Sequence, residues 1–338
     1  MGVPADDLLG DIATKAEAWA RSEFDPAVHL TKAHPMPGNA GLSFGLTVET
    51  PAAETSFVIR LAPIGVRKRG NTDVLRQVPL LRALAGSGVP VAPLVWSTDD
   101  PAWFGTDAII QEWVPGLPLH MYDAESGVGT TEPLALVRRA VDVLARIHRV
   151  PWRDVLPGWE TPRDPDLEID FWLPLMERAG DEEALAAATA LAARLKATRP
   201  AGVRMGVMHG DYQTHNILYG EDGTVLAVVD WELAGIGAQL LDLGWLSMMT
   251  DPDAWAPEHA SRFRVVTSPG WLRERYEEAS GTPVEDFDWY RAVACYRFAV
   301  IVAFNLRLHR TGRRVDEWYE RLASSIPALL AYGRRLVG

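Results

Sequence analysis

Apolar residues at helical spacing open the chain: Leu8, Leu9, Ile12, Ala16, Trp19 and Ala20 share one face of a helix over residues 5 to 22. The pattern then changes. "HPMPGNAGLSFGLTVE" passes through a glycine-rich stretch into alternation, and "TSFVIRLAP" alternates again, which predicts strands around a turn. Residues 73 to 86, "DVLRQVPLLRALAG", return to helical spacing, with Pro79 as a blemish and Gly86, Gly88 and Pro90 as the stop. "VAPLVWS" and "DAIIQEWV" predict two more strands before "PGLPLH" breaks the pattern. Beyond that break helical periods dominate, at 133 to 149, 181 to 198, 271 to 280 and 286 to 310. One hairpin sits among them, where "NILY" and "TVLAVVDWE" flank the turn-rich "GEDG". If Tyr219 pairs with Thr224, the ladder brings Asp230 opposite Gln213. A β-rich front and a helix-rich back predict two lobes, residues 1–114 and 119–338, joined by a hinge at 115–118.

The stretch around that hairpin carries the candidate chemistry. "VMHGDYQTHNILYGEDGTVLAVVDWE", residues 207–232, holds Asp211 on a loop, Asn216 five residues later and Asp230 closing the second strand. Hard oxygen ligands together with a carboxylate that accepts a proton are what metal-assisted phosphoryl transfer needs. His209, Asp211 and His215 form a rival set, that of a zinc hydrolase, which leaves Asn216 and Asp230 without roles. A third reading treats the same carboxylates as ordinary turn and strand punctuation.

Composition narrows the class. The 338 residues are 48% hydrophobic, ample for a packed core, and the formal charge of −12, from 45 acidic against 33 basic residues, argues against nucleic acid as the partner. The one cysteine, Cys295, lies in the apolar "RAVACYRFAVIVAF" and reads as a reduced core thiol, which suits a cytoplasmic protein. The first residues lack the basic and apolar regions of a signal peptide, and the run from Phe298 to Phe304 is too short to span a membrane. A soluble protein with no membrane partner is expected.

"HGDYQTHN", then "VVDWE", then "LLDLGWL" resembles the aminoglycoside phosphotransferase and choline kinase-like family, whose fold is protein-kinase-like. "FVIRLAP", "LLRALAGSGVPVAP", "AIIQEWVPG", "LARIHRVPW" and "DFDWYRAVACYRFAVI" look, in order, like segments of its acyl-CoA-dehydrogenase-associated branch, so the resemblance covers roughly residues 30 to 335. It implies an α+β, bilobal fold with a small β-rich N-lobe and a larger, mainly helical C-lobe. It implies an ATP- and Mg²⁺-dependent kinase, with GTP as an alternative nucleotide, that phosphorylates a hydroxyl of a small molecule. Asp211 then matches the catalytic base, Asn216 and Asp230 the Mg²⁺ ligands with Glu232 beside them, and His209 and Asp242 the residues that brace the loop. Glu112, Trp113 and Val114 match the strand whose backbone reads adenine, and Gly41 and Ser43, with Gly38 and Gly45, would admit phosphates. Two positions depart from the pattern. Arg60 stands where kinases carry a lysine, and Gln77 stands where its glutamate partner is usual; the missing ion pair motivates an alternative, a nucleotide-binding pseudokinase acting through a protein partner.

The acceptor is less legible. "DPDLEID" offers Asp164, Asp166, Glu168 and Asp170 to the ammonium groups of an aminoglycoside, or forms a solvated acidic loop. Trp152, Trp159, Trp172, Trp245, Trp255, Trp271 and Trp289 favour an apolar or ring-containing alcohol wherever they are not core. Arg297, Arg307, His309 and Arg310, near one another on a predicted helix, would suit an anionic acceptor or a plain surface.

Overall fold

The computed structural model describes residues 5–36, 42–50, 53–120, 128 and 131–338, so Gly38 and Gly41 lie outside the described residues. The chain divides into two compact units, Met1–Pro115 with Ala227–Leu233, and Gly116–Leu226 with Ala234–Gly338.

In the first unit β1 (His29–Pro35), β2 (Leu42–Glu49), β3 (Glu54–Leu61), β4 (Leu94–Thr98) and β5 (Ala108–Glu112) form one sheet in the order β1-β2-β3-β5-β4, antiparallel throughout. Helix α1 (Ala5–Glu23) belongs to the same core: Trp19 is buried edge-on against Phe57 with ring centres 5.4 Å apart, beside Ile12, Leu46 and Ile59. The edge strand β1 escapes sequence periodicity because most of its side chains remain partly or fully exposed. Helix α2 (Gln77–Gly86) follows a 3-10 turn over Val74–Arg76, which leaves Pro79 in its first turn, where no intrahelical N–H is lost. A short α3 (Pro101–Phe104) precedes β5.

The second unit is mainly helical: α4 (Pro133–His148), α5 (Trp152–Val155), α6 (Pro165–Ala179), α7 (Glu182–Ala197), α8 (Leu240–Thr250), α9 (Pro257–Ala260), α10 (Pro269–Ser280), α11 (Phe287–Arg310), α12 (Glu317–Arg321) and α13 (Ser325–Leu336). The 24-residue α11 is the one described helix long and apolar enough to cross a membrane, and most of it is buried inside this unit against α6, α8 and α13. Gly244 of α8 permits that packing, since a Cβ there would lie 2.6 Å from the Tyr290 backbone. Strands are few: β6 (Leu117–Pro118), β7 (Met205–Met208), β8 (Ile217–Tyr219) and β10 (Gly235–Ala238), with β7 antiparallel to β10, while β9 (Val225–Val228) begins in this unit and ends in the first.

Three sequence expectations change. Residues 227–233 join the first unit, so the division is not contiguous at 1–114, 115–118 and 119–338; Val228 N–H donates to the Pro90 carbonyl at 2.8 Å and bridges Val91. The hairpin turn closes between Gly220 and Thr224, one residue from the assumed Tyr219 pairing, because Gly223 takes a left-handed φ of +76°. The strands begin at Ile217 and end at Val228, so that ladder does not reach Gln213 or Asp230. "DPDLEID" opens α6 rather than a loop: the Asp164 side chain accepts from Asp166 N–H at 2.9 Å, and Pro165 starts the helix.

Candidate active site

In the second unit β7 delivers the chain into a tight loop at His209, Gly210 and Asp211. Gly210 has a φ of +84°, a conformation that favours glycine. Its N–H donates to Asp242 Oδ1 at 2.8 Å while His209 N–H donates to Oδ2 at 2.6 Å, so one carboxylate at the start of α8 clamps two consecutive amides. Asp242 is buried, which alone would raise its pKa; the facing His148, with His209, holds it below the ordinary value instead. His148 Nε2 stands 3.5 Å from Oδ2, an electrostatic contact, while its Nδ1 lies 2.6 Å from the Tyr276 hydroxyl. Tyr212 anchors the loop further by donating its hydroxyl hydrogen to the Ala140 carbonyl at 2.7 Å.

The Asp211 carboxylate is oriented from both sides. Gln213 Nε2 donates to Oδ1 at 2.7 Å, and Asn216 Nδ2 donates to Oδ2 at 3.0 Å and to the Asp211 carbonyl at 2.9 Å. With its nitrogen so engaged, Asn216 keeps its side-chain oxygen as an acceptor. Sequence reading did not assign Gln213 a role; its position two residues after Asp211 is the only signal. His209 Nδ1 accepts from Asp211 N–H at 3.2 Å, so this ring is part of the loop's own bonding. Burial lowers the pKa of His215, against the pull of Asp211, and His120 lies beside it with ring centres 5.7 Å apart. Among the described residues no group of three or more His, Cys, Asp or Glu side chains is gathered for a metal, so His209, Asp211 and His215 do not form the zinc set.

In the first unit β3 carries Arg60, directly opposite Ser43 on β2 and therefore on the same face of the sheet. Arg60 Nη1 donates to Asp230 Oδ1 at 3.0 Å and Nη2 to Glu232 Oε2 at 2.6 Å. Burial works against its charge, yet the two carboxylates hold its pKa above the ordinary value. Asp230 takes φ +66°, the left-handed region, rare for a residue with a side chain. Gln77 is buried and its Nε2 has no hydrogen-bond partner among the described residues, so it is not joined to Arg60; the preceding Arg76 instead donates to the Glu232 carbonyl at 3.2 Å. Glu112 N–H bonds the Pro93 carbonyl and Trp113 N–H the Ser56 carbonyl, both at 2.9 Å, whereas Val114 N–H makes no hydrogen bond among the described residues. Gly45 has a packing reason of its own, since a Cβ there would lie 2.4 Å from the His34 ring.

The family model described as "Phosphotransferase enzyme family" matches residues 38–278. The chain belongs to that family. Among curated relatives, it is 23% identical to mouse acyl-CoA dehydrogenase family member 10 over 275 residues, covering 77% of this chain and 25% of that protein. It is 26% identical to probable acyl-CoA dehydrogenase IBR3 of Arabidopsis thaliana, covering 78% and 34%. The chain thus spans about a quarter to a third of the length of these relatives. Among solved structures, a candidate aminoglycoside phosphotransferase from Ralstonia eutropha JMP134 superposes with a TM-score of 0.75 at 22% identity, covering 95% of this chain and 98% of that one. A Plasmodium vivax ethanolamine kinase gives 0.58 at 11%, covering 92% and 85%. These likenesses establish a protein-kinase-like fold, with a β-sheet N-terminal region and a mostly helical C-terminal part.

Proposed function

We propose that the chain transfers the γ-phosphoryl group of ATP, with Mg²⁺, to a hydroxyl of a small molecule. The observation that carries this reading is the Asp211 carboxylate, fixed by the Gln213 and Asn216 amides on a loop that Asp242 clamps. The acceptor oxygen forms the new bond to the γ-phosphorus and the bond to the β,γ-bridging oxygen breaks. ADP leaves, and the hydroxyl proton passes to Asp211 and then to solvent. His209 and Asp242 act as positioning residues.

The donor set fits Mg²⁺. The Asn216 side-chain oxygen and the Asp230 carboxylate are hard oxygen ligands, with Glu232 as a further candidate. Bound Mg²⁺ would neutralise charge on the phosphate oxygens. Support for ATP comes from the fold: a thermostable mutant of aminoglycoside phosphotransferase APH(4)-Ia, similar with a TM-score of 0.60, was solved with AMP-PNP and hygromycin B. The free Val114 N–H is the donor we assign to the nucleotide base, and Ser43 and Arg60 share the face we assign to phosphates. The pseudokinase alternative loses its motive, because the counter-charge absent at Gln77 is supplied to Arg60 by Glu232. We place the protein in the cytoplasm: Cys295 is buried in α11, and burial pushes its thiol up to about 12, which makes it an inert core residue.

The test is ADP release over a panel of alcohols and aminoglycosides with wild type and Asp211→Ala. Loss of proton handling should lower turnover roughly 10²- to 10⁴-fold. Equal turnover in the two proteins would sink the assignment.

A further inference from the structure

Helix α10 carries none of the candidate catalytic residues, yet one of its side chains reaches the brace of the loop at Asp211. Tyr276 is buried, and its hydroxyl lies 2.6 Å from Nδ1 of His148, the last residue of α4, with no other hydrogen-bond partner among the described residues. The second ring nitrogen of His148, Nε2, is sealed from solvent, makes no hydrogen bond among the described residues, and stands 3.5 Å from Asp242 Oδ2. Asp242 in turn accepts from His209 N–H at 2.6 Å and from Gly210 N–H at 2.8 Å. The backbone of His148 is fastened to the same helix: its carbonyl accepts from Gln239 Nε2 at 2.5 Å, and Gln239 immediately precedes α8, which carries Asp242. Phenol, imidazole, carboxylate and two loop amides thus form one chain inside the second unit.

One arrangement of hydrogens satisfies that chain. A neutral imidazole carries its hydrogen on one nitrogen only. With the hydrogen on Nδ1, the bare Nε2 lone pair would face the Asp242 carboxylate and the buried phenol hydrogen would have no acceptor, a cost at both ends. With the hydrogen on Nε2, the N–H dipole points at the carboxylate and Nδ1 accepts from the phenol. A doubly protonated ring again strands the phenol hydrogen. Burial pushes the Tyr276 phenol up to about 12, so it keeps that hydrogen and remains a donor. Two other contacts fasten α10 to α4: the Arg275–Asp142 ion pair, and Arg149 Nη1 donating to the Ala279 carbonyl at 2.7 Å. The helices therefore stay joined when the hydroxyl alone is removed. We infer that Tyr276 is a positioning residue: its hydroxyl donates to His148 Nδ1, fixes the ring hydrogen on Nε2 facing Asp242, and so steadies the carboxylate that clamps His209 and Gly210 beside Asp211. Its consequence for turnover rests on the kinase reading above.

The test uses the full chain labelled with ¹⁵N-histidine. In long-range proton–nitrogen spectra at neutral pH the His148 signals, identified by their loss in His148→Gln, should show a neutral ring with its hydrogen on Nε2. Removing only the hydroxyl, in Tyr276→Phe, should mix the two tautomers and speed amide hydrogen exchange at His209 and Gly210 about 5- to 20-fold, the scale of one hydrogen bond. Turnover in ADP release should fall by a similar factor, with the KM for ATP unchanged. In His148→Gln an amide N–H meets Asp242 without help from the phenol, so adding Tyr276→Phe to that protein should change nothing further. A hydrogen on Nδ1 or a doubly protonated ring in the wild type would overturn the inference, and so would equal losses from Tyr276→Phe in both backgrounds. The wild-type spectrum decides the matter even should Tyr276→Phe fail to fold. A wild type that releases no ADP would sink the kinase reading, while the tautomer and the exchange rates would still uphold or sink the role of Tyr276.

Discussion

Arg60 Nη2 donates to Glu232 Oε2 at 2.6 Å, and both side chains are largely withdrawn from water, at 16% and 14% exposure, whereas the Asp230 side chain on the other arm is 41% exposed. The two arms should therefore separate stability from catalysis. Glu232→Gln should lower the unfolding free energy by about 1–3 kcal/mol, and Asp230→Asn by less than about 1 kcal/mol, in urea titrations. The order should invert for activity. Asp230→Asn, which removes a proposed metal ligand, should cost at least about 100-fold in ADP release. A stability loss from Asp230→Asn that exceeds that from Glu232→Gln would contradict this division.

Asp242 accepts from the N–H groups of both His209 and Gly210. Asp242→Asn turns an NH₂ group toward one of them, and should cost about 2–4 kcal/mol as well as the orientation of Asp211. Its carboxyl pKa is lowered on folding from 3.8, so its contribution is fully present above that value and disappears as pH falls through the lower folded value. The stability gap between wild type and Asp242→Asn should thus be flat from pH 8 to about 4. A gap that closes near neutrality would show that another group is responsible.

Gly244→Ala puts a methyl group 2.6 Å from the carbonyl carbon and oxygen of Tyr290, both backbone atoms that cannot rotate away. An overpacking cost of about 1–3 kcal/mol is expected, visible as a lower melting temperature. Unchanged thermal stability would mean that α8 and α11 can separate without penalty.

His259 is buried against Trp255, with ring centres 4.7 Å apart, and its pKa is lowered to about 4 from 6.5, by burial first and by Arg262 next. The folded state holds the neutral ring while the unfolded chain protonates, so this residue's contribution is complete above pH 6.5 and declines as pH falls toward 4. The unfolding free energy should drop over that window, by at most about 1.4 kcal/mol per pH unit for one proton, and His259→Phe should flatten the profile. Identical profiles for the two proteins would discard His259 as the source.

The large helices and the buried strands were legible because their apolar period is set by a single buried face: Trp19 and Ile12 mark α1, and the run to Leu306 marks α11. Where the fold depends on partners distant in sequence, local pattern is silent. "DPDLEID" looks like a solvated acidic loop until Arg199, Lys196 and Arg163 are seen to neutralise it. Gln77 looks like a lost ion pair until Glu232, 172 residues beyond Arg60, is seen to replace it. Asp211, Asn216, Asp230 and Asp242 stood out as candidates from spacing and family likeness. Gln213 did not, since only the packed chain brings its amide to the Asp211 carboxylate.

Residues 227–233 belong to the first unit although more than a hundred residues separate them from Pro115. A chain made from its N-terminus therefore emerges from the ribosome with that unit unfinished. Arg60 awaits its counter-charges, and Pro90 its bonding partner at Val228, until α4 to α7, β7 and β8 have been synthesised. The order of synthesis cannot be the order of completion here: the first unit to appear has to wait for the second to begin before it can close.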